Sequence, residues 1–236
     1  MKISIIIPTC NEEGFIQSLL RYLNGLDAHG LLREIIVVDG SSTDRTVAHA
    51  KLAGAIVLSS DIRSRAVQLN LGAEMATGDV YYFLHADSLP PESLFEDLYN
   101  TIDAGFEAGC YQLSFDKSHW FLRLNAWFTR FDCEAFRFGD QSLFVTQNAY
   151  HKIGGYDQKL TILEDNEIIT RLKKKVKFRL LNKKVVTSAR KYIACGVFRL
   201  QFSYYLLYLF YKLGGTQQFL LKTYRVLLGK SWSSSG

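Results

Sequence analysis

The sequence predicts an α/β fold built on a mostly parallel sheet with flanking helices, and three observations carry that expectation. Short apolar runs rich in Ile and Val alternate with helical segments through the N-terminal half. Those runs lack the polar alternation of a half-exposed strand, so they read as strands buried on both faces. Their strand–helix–strand order favours parallel pairing through right-handed crossovers.

The elements follow in order. Ile3 to Ile7 is the first strand, ended by the loop from Pro8 to Glu13. Phe15, Leu19, Leu20, Leu23 and Leu26 recur at helical spacing, predicting a helix over 15–26. Glu34 to Asp39 is the second strand, and Ser41 to Asp44 supplies cap chemistry for a helix reaching about Ala53. Ala55 to Leu58, Ala66 to Ala76, Val80 to Leu84 and Pro90 to Ala104 continue as strand, helix, strand, helix. The pattern then becomes mixed. Strands are expected at 110–115 and 143–146, separated by an aromatic segment from Trp120 to Phe138. A helix follows at 164–175, short β segments at 178–181 and 184–186, and two helices at about 197–213 and 217–228. The implied organisation is a main domain over 1–190, with one half to about 105 and a second, mixed half over 106–190. A basic, aromatic helical extension covers 191–236.

With 48% hydrophobic and 22% charged residues, the chain is globular rather than disordered. Its four cysteines are widely spaced with no CxxC, which indicates neither a zinc site nor a disulfide framework and favours a reducing, cytoplasmic setting. The run from Ile3 to Ile7 is too short for a signal peptide. The weakly charged stretch from Tyr192 to Tyr211 carries Arg199 near its centre, which argues against a membrane span. The net charge of +5 hides an asymmetry: from Arg171 onward there are fifteen basic residues and no acidic one. An anionic partner near that end is expected, and the inner face of a membrane is the leading candidate. No basic–aromatic motif of the nucleic-acid-binding kind is present.

Ligands of open parallel sheets bind beyond the carboxyl ends of the strands, so the loops after strands one, two and four are the places to search. Asp39 ends strand two in VVDGSSTDRT, where its carboxylate suits a base or ribose and Gly40 permits a tight turn. Asp44 reads as a helix cap. Asp87 leaves an apolar strand in YYFLHADSLPP, where an acid needs solvent, a partner or a metal. His85 lies two residues away on the same strand face, as a candidate metal ligand or a structural residue. Arg65 is a candidate phosphate clamp, whereas Arg63 reads as a surface ion-pair residue. Glu164 and Asp165 adjoin at a helix start. The helix dipole alone favours acids there, but adjacent carboxylates also divide labour in acid–base chemistry.

These segments, IIIPTCNEEGF, VVDGSSTDRT, RAVQLNLGAEMATGD, FLHADSLPP, GDQSLFV, GGYD and ILEDNEIITRLKK, resemble in order the family-2 glycosyltransferases of the GT-A fold. The later VVTSARKYIACGVFR resembles their radical-SAM/selenodomain-associated subgroup. The resemblance implies a GT-A-type, Rossmann-like fold, a UDP- or GDP-sugar donor, a divalent cation (Mn²⁺ or Mg²⁺) and inversion at the anomeric carbon. By that resemblance Pro8, Thr9, Glu12 and Asp39 hold the nucleoside, Arg65 reaches the base or diphosphate, and Asp87 binds metal. Asp165 is the general base with Glu164 beside it. Gly139, Asp140 and Gln141 face the donor sugar and acceptor, and Arg190 contacts phosphate. Two departures stand out. The usual Asp-x-Asp reads His85-Ala86-Asp87, and Gly40 replaces a second acid after Asp39.

A non-catalytic nucleotide-sugar binder is the main rival, and the paired acids speak against it because binding alone needs no base. A sugar nucleotidyltransferase would carry a Gly-rich loop and lysine after strand one, which this chain lacks. Trp120, Phe121, Trp127, Phe128 and Phe131 recur at helical spacings, as do Phe198, Phe202, Tyr205 and Leu209. Core packing is the simpler expectation for both sets. An interfacial surface for a lipid-linked acceptor is the alternative.

Overall fold

The computed structural model describes residues 1–27, 29–137 and 139–229; Phe138, expected at the end of the aromatic segment, and the last seven residues of the expected extension lie outside them. The chain runs β1 (Ile3–Thr9), α1 (Ile16–Leu26), β2 (Leu32–Asp39), α2 (Thr46–Leu52), β3 (Ile56–Ser59), α3 (Arg65–Met75) and β4 (Val80–Phe83). Then come β5 (Ser88–Leu89), α4 (Leu94–Asp103), β6 (Ala108–Phe115), α5 (Trp120–Phe128), β7 (Leu143–Thr146) and α6 (Gln147–Ile153). The remainder is α7 (Glu164–Lys175), β8 (Phe178–Thr187), α8 (Arg190–Cys195), α9 (Val197–Lys212) and α10 (Gln217–Leu228).

One sheet of eight strands has the order β3-β2-β1-β4-β7-β6-β8-β5. The first four pair in parallel, as expected, and β7 runs antiparallel to both β4 and β6. The apolar run of β1 is explained by two cores. Ile5 and Ile7 pack with Leu19 and Leu23 of α1 and Leu98 of α4. Ile6 faces the other side, with Leu69 and Ala73 of α3 and Ile168 and Leu172 of α7. Gly72 lets α3 lie close on the sheet, because a Cβ there would overlap Ile6 and approach Val38 Cγ2 to 3.1 Å.

Several boundaries depart from expectation. The two β segments near 178–186 are a single strand, β8, whose pairing with β6 slips past Asn182 and Lys183. The bulge at Asn182 and Lys183 falls between the two expected segments. Helix α4 starts at Leu94, not Pro90, because Ser88 and Leu89 first pair with Thr187 and Val186. The aromatic segment contains α5, and the short helices α6 and α8 carry too few turns to show a period. Helix α7 matches its expected span, with Glu164, Asp165 and Glu167 in its first turn and three lysines in its last.

The C-terminal helices share a third apolar cluster with α5, in which Leu122 meets Tyr192, Leu200 and Leu228. Among the described residues no helix is long and apolar enough to cross a membrane. Five tail cations pair with acids earlier in the chain: Arg171 with Glu167, Lys173 with Asp132, Lys183 with Asp97, Arg190 with Glu12 and Asp87, and Lys212 with Glu134. Part of the basic excess therefore neutralises the body of the protein itself.

Candidate active site

The carboxyl ends of β1, β2 and β4 meet at one edge of the sheet, and the loops beyond them form the first part of the site. Asp39 is buried and braced by its own loop and by Thr9 of β1. It accepts hydrogen bonds from Ser42 N (2.9 Å), Ser42 Oγ (2.5 Å) and Thr9 Oγ1 (3.3 Å). Behind it, buried Gln68 donates Nε2 to the carbonyls of Thr9 (2.9 Å) and Val38 (2.7 Å). A Cβ on Gly40 would come within 3.0 Å of that amide, so the residue after Asp39 is small for a packing reason. Asp44 is not the N-cap expected: that position is Arg45, with no side-chain cap bond, and Asp44 instead accepts from Thr46 N (2.9 Å) just before α2. Arg63 is not the ion-pair residue expected, since its guanidinium donates to the carbonyl of Ser41 (2.7 Å) and so braces the same loop.

A pocket of about 50 Å³ opens in front of these loops, lined by Pro8, Thr9, Glu12, Arg65, His85, Asp87, Arg190 and Lys191 among others. Arg190 comes from the far end of the chain yet lies 2.5 Å from Glu12 Oε1 and 3.0 Å from Asp87 Oδ2. Its guanidinium also stacks on Phe15, 4.6 Å from the ring centre. Burial opposes the Arg190 charge, but the Glu12 hydrogen bond and Asp87 together raise its pKa. The second Glu12 oxygen, Oε2, is buried without a hydrogen-bond partner. An orphaned acceptor in a pocket is a place for a ligand donor such as a ribose hydroxyl.

Beyond Arg65 lies the acidic pair. Helix α7 places both acids in its first turn, buried at 4% and 9% exposure. Leu163, just before them, sits at φ 65°, a left-handed conformation costly for a branched residue. Ser41 and Ser142 share that region of φ on neighbouring loops, as strained backbone at functional sites does. Arg65 bridges the pair, with Nη1 3.6 Å from Glu164 and Nη2 3.9 Å from Asp165. Burial first, and then the Asp165 charge, push Glu164 up to about 7 despite Arg65. Asp165 also accepts from Tyr156 Oη at 3.4 Å.

His85 lies among these groups. Its Nδ1 is 3.0 Å from Asp140 and 2.7 Å from Arg65, and its Nε2 is 3.9 Å from Asp165. Burial raises the Asp140 pKa, but the His85 hydrogen bond and charge, with Arg65, outweigh it and leave Asp140 at about 2. Gln141, in the 3-10 turn Gly139–Gln141, is held by Arg137. Arg137 is fully buried and also donates to the carbonyls of Thr129 (2.8 Å) and Phe131 (2.6 Å).

The acids open onto a larger cavity of about 360 Å³, walled by β6, α5, α9 and α10. Lys191 lines both cavities, and burial lowers its pKa, with Arg65 adding to the effect. Lys191, Arg137 and Gln68 escaped the sequence reading. Lys191 follows Arg190 directly, which is the one signal that pointed to it. Among the described residues no group of three or more His, Cys, Asp or Glu side chains is arranged to hold a metal ion on its own.

Residues 4–162 match glycosyl transferase family 2, and the chain belongs to that family. It is 34% identical over 101 residues to glucosyl-3-phosphoglycerate synthase of Mycobacterium tuberculosis. That match covers 39% of this chain and 31% of the relative, so the chain spans about a third of the curated proteins it matches. Dolichol-phosphate mannosyltransferase of Pyrococcus furiosus is 31% identical over 110 residues, covering 44% of this chain and 31% of the relative. The fold is that of a mannosyltransferase from Pyrobaculum calidifontis, solved in complex with GDP-Man and Mn²⁺. The TM-score is 0.69 at 20% identity, covering 96% of this chain and 69% of the other. The sheet and its flanking helices thus form a GT-A-type, Rossmann-like fold.

Proposed function

We propose that the protein is an inverting glycosyltransferase that moves a sugar from a UDP- or GDP-sugar to an acceptor hydroxyl. The observation that carries this reading is the placement of Glu164 and Asp165. They stand buried at one helix start on the wall of the large cavity, bridged by Arg65, which also lines the pocket of Glu12 and Asp87. Pro8, Thr9, Glu12 and Asp39 hold the nucleoside, with Glu12 Oε2 accepting from it. The diphosphate lies against Arg190, Arg65 and Lys191.

Asp165 takes the proton of the acceptor hydroxyl as its oxygen attacks the anomeric carbon. The bond from that carbon to the diphosphate oxygen breaks with both electrons leaving on the nucleoside diphosphate, so the configuration inverts. Arg65, Arg190 and Lys191 face the growing negative charge, which favours the transition state over bound donor. Glu164, its proton held more tightly by burial, keeps a second full charge from opposing Asp165. His85 and Arg137 position Asp140 and Gln141 beside the sugar and acceptor.

The donor set fits a divalent cation that arrives with the diphosphate. Mg²⁺ and Mn²⁺ take one or two protein carboxylates and complete their shell with phosphate oxygens and water, and Asp87, beside Arg190, offers one carboxylate to the pocket. When bound, Mn²⁺ or Mg²⁺ supplies charge neutralisation on the leaving group. The mannosyltransferase solved with GDP-Man and Mn²⁺ supports the same donor class. Free thiols at Cys10, Cys110, Cys133 and Cys195 support a cytoplasmic setting. The acceptor, on this reading, is lipid-linked and met at the inner face of the membrane.

The test is a thermal-shift screen of UDP- and GDP-sugars with and without Mn²⁺. At least one donor should raise Tm in a Mn²⁺-dependent way. No response to any of them would end the reading.

A further inference from the structure

Two exposed apolar stripes border the large cavity. On α5, Trp120, Leu124 and Trp127 are 64%, 44% and 44% exposed. On α9, Phe198, Phe202, Tyr205 and Leu209 are exposed at four- and three-residue steps, Phe198 at 55% and Phe202 at 64%. Neither stripe is the core packing that the sequence favoured; the buried faces are Leu122 on α5 and Leu200, Gln201, Ser203 and Leu207 on α9. The stripes join where Trp120 and Phe121 meet Phe198, with ring centres 5.9 and 4.7 Å apart. They meet again where Tyr205 Oη bonds Asn125.

Asn125 and Tyr205 also line the cavity, so the outer apolar surface is continuous with its mouth. Its wall combines Leu113, Phe115, Phe136, Leu207, Leu221 and Tyr224 with Asp165 and Lys191. Helices α5, α9 and α10 carry Arg123, Arg199, Lys212, Lys222 and Arg225 and no acidic residue. Lys212 is paired with Glu134, and the other four cations beside exposed Trp and Phe match the boundary of an anionic bilayer.

We propose that the α5–α9 face docks on an anionic lipid bilayer and that the cavity behind it is the acceptor site. The acceptor is an amphiphile resident in that bilayer. Its hydroxyl head reaches Asp165, and its apolar body lies along Leu207, Leu221 and Tyr224. This rests on the glycosyl-transfer reading for the role of Asp165, whereas the docking face stands on its own geometry. The cavity volume lies within the range of small-molecule sites, about 300–1,000 Å³, so it holds the head and the first part of the chain and leaves the rest in the bilayer.

The test has two arms on the full chain. In the first, flotation at low salt uses vesicles of equal parts phosphatidylglycerol and phosphatidylcholine. The protein should float with them, and the triple variant Trp120→Ser, Phe198→Ser, Phe202→Ser should bind about tenfold or more weakly. Those side chains are exposed, so the variant should keep its Tm and its nucleotide response. No flotation of the parent protein, or equal flotation of the variant, overturns the docking face. So does a dimer that the variant converts to monomer without vesicle binding, which would give the face to a second copy of the chain.

In the second arm, n-octyl β-D-glucoside below its micellar concentration should bind about tenfold or more tightly than glucose. Leu221→Trp and Tyr205→Trp, from different helices, should each remove that advantage. Equal binding of the two probes, or an advantage that both variants retain, overturns the amphiphile. If the UDP- and GDP-sugars fail to bind while vesicles and octyl glucoside do, the glycosyl-transfer reading falls and the docking face stands.

Discussion

Replacing Glu164 by Gln isolates the cost of keeping an ionisable group in the acidic pair. In the folded protein Glu164 is 4% exposed and pushed from an ordinary 4.5 up to about 7, by burial first and the Asp165 charge second. The folded state thus holds this proton more tightly than the unfolded chain does. The contribution is complete below the unfolded value near 4.5 and is lost as the pH rises through about 7. The displacement corresponds to roughly 3 kcal/mol. Gln keeps the shape but does not titrate, and Arg65 retains Asp165 at 3.9 Å when its 3.6 Å contact with Glu164 is weakened. Urea unfolding from about pH 5 to about pH 8 should therefore show the variant gaining on the parent protein as pH rises, by roughly 3 kcal/mol across the range. A difference that stays constant with pH would refute the reasoning.

Three further outcomes follow. Asp87→Ala should abolish the Mn²⁺ dependence of nucleotide affinity while Arg190 keeps its contact with Glu12, and unchanged affinity with and without Mn²⁺ in a titration would count against Asp87. Arg137→Met should cost about 3 kcal/mol in urea unfolding, because it strips the donor from the Thr129 and Phe131 carbonyls and from Gln141 Oε1. A loss under about 0.5 kcal/mol, the scale of a surface change, would show that those groups find other partners. Gly109→Ala should cost about 1–3 kcal/mol, since its Cβ would overlap the Arg179 carbonyl and the Phe144 ring where β6 meets β8 and β7. An unchanged Tm would mean that the sheet yields there.

How much of this was legible in the chain depends on how local each signal was. Strands buried on both faces announce themselves, and Ile5, Ile6 and Ile7 do so because each faces one of two cores. Helix α7 was legible to the residue because its acids and lysines sit at opposite ends of its dipole. Helix α6, only seven residues long, offers fewer than two full turns of pattern, and β8 is masked by its own bulge. In the site, Asp39 and Asp87 stood out because an acid at the end of an apolar run needs a reason, whereas Asp165, at a helix start, drew its expected role from the resemblance to family 2. Arg190 and Glu12, 178 residues apart, are brought together only by the fold, and the resemblance to family 2 stood in for that knowledge. Lys191 and Gln68 lie inside quoted segments without a role attached and Arg137 lies outside them all, because their roles come from cavities and carbonyls that exist only after folding. The aromatic stripes show the opposite error. Helical spacing identifies one face of a helix but not whether protein or solvent covers it.

Asp165 is proposed to accept the proton of the acceptor during sugar transfer. Donor affinity and nucleoside diphosphate release, measured side by side in the parent protein and Asp165→Asn with Mn²⁺ and the UDP- or GDP-sugar that binds, test it most directly. Affinity should be preserved while release falls about 10²- to 10⁴-fold. Near-normal release from the variant would remove Asp165 from that role.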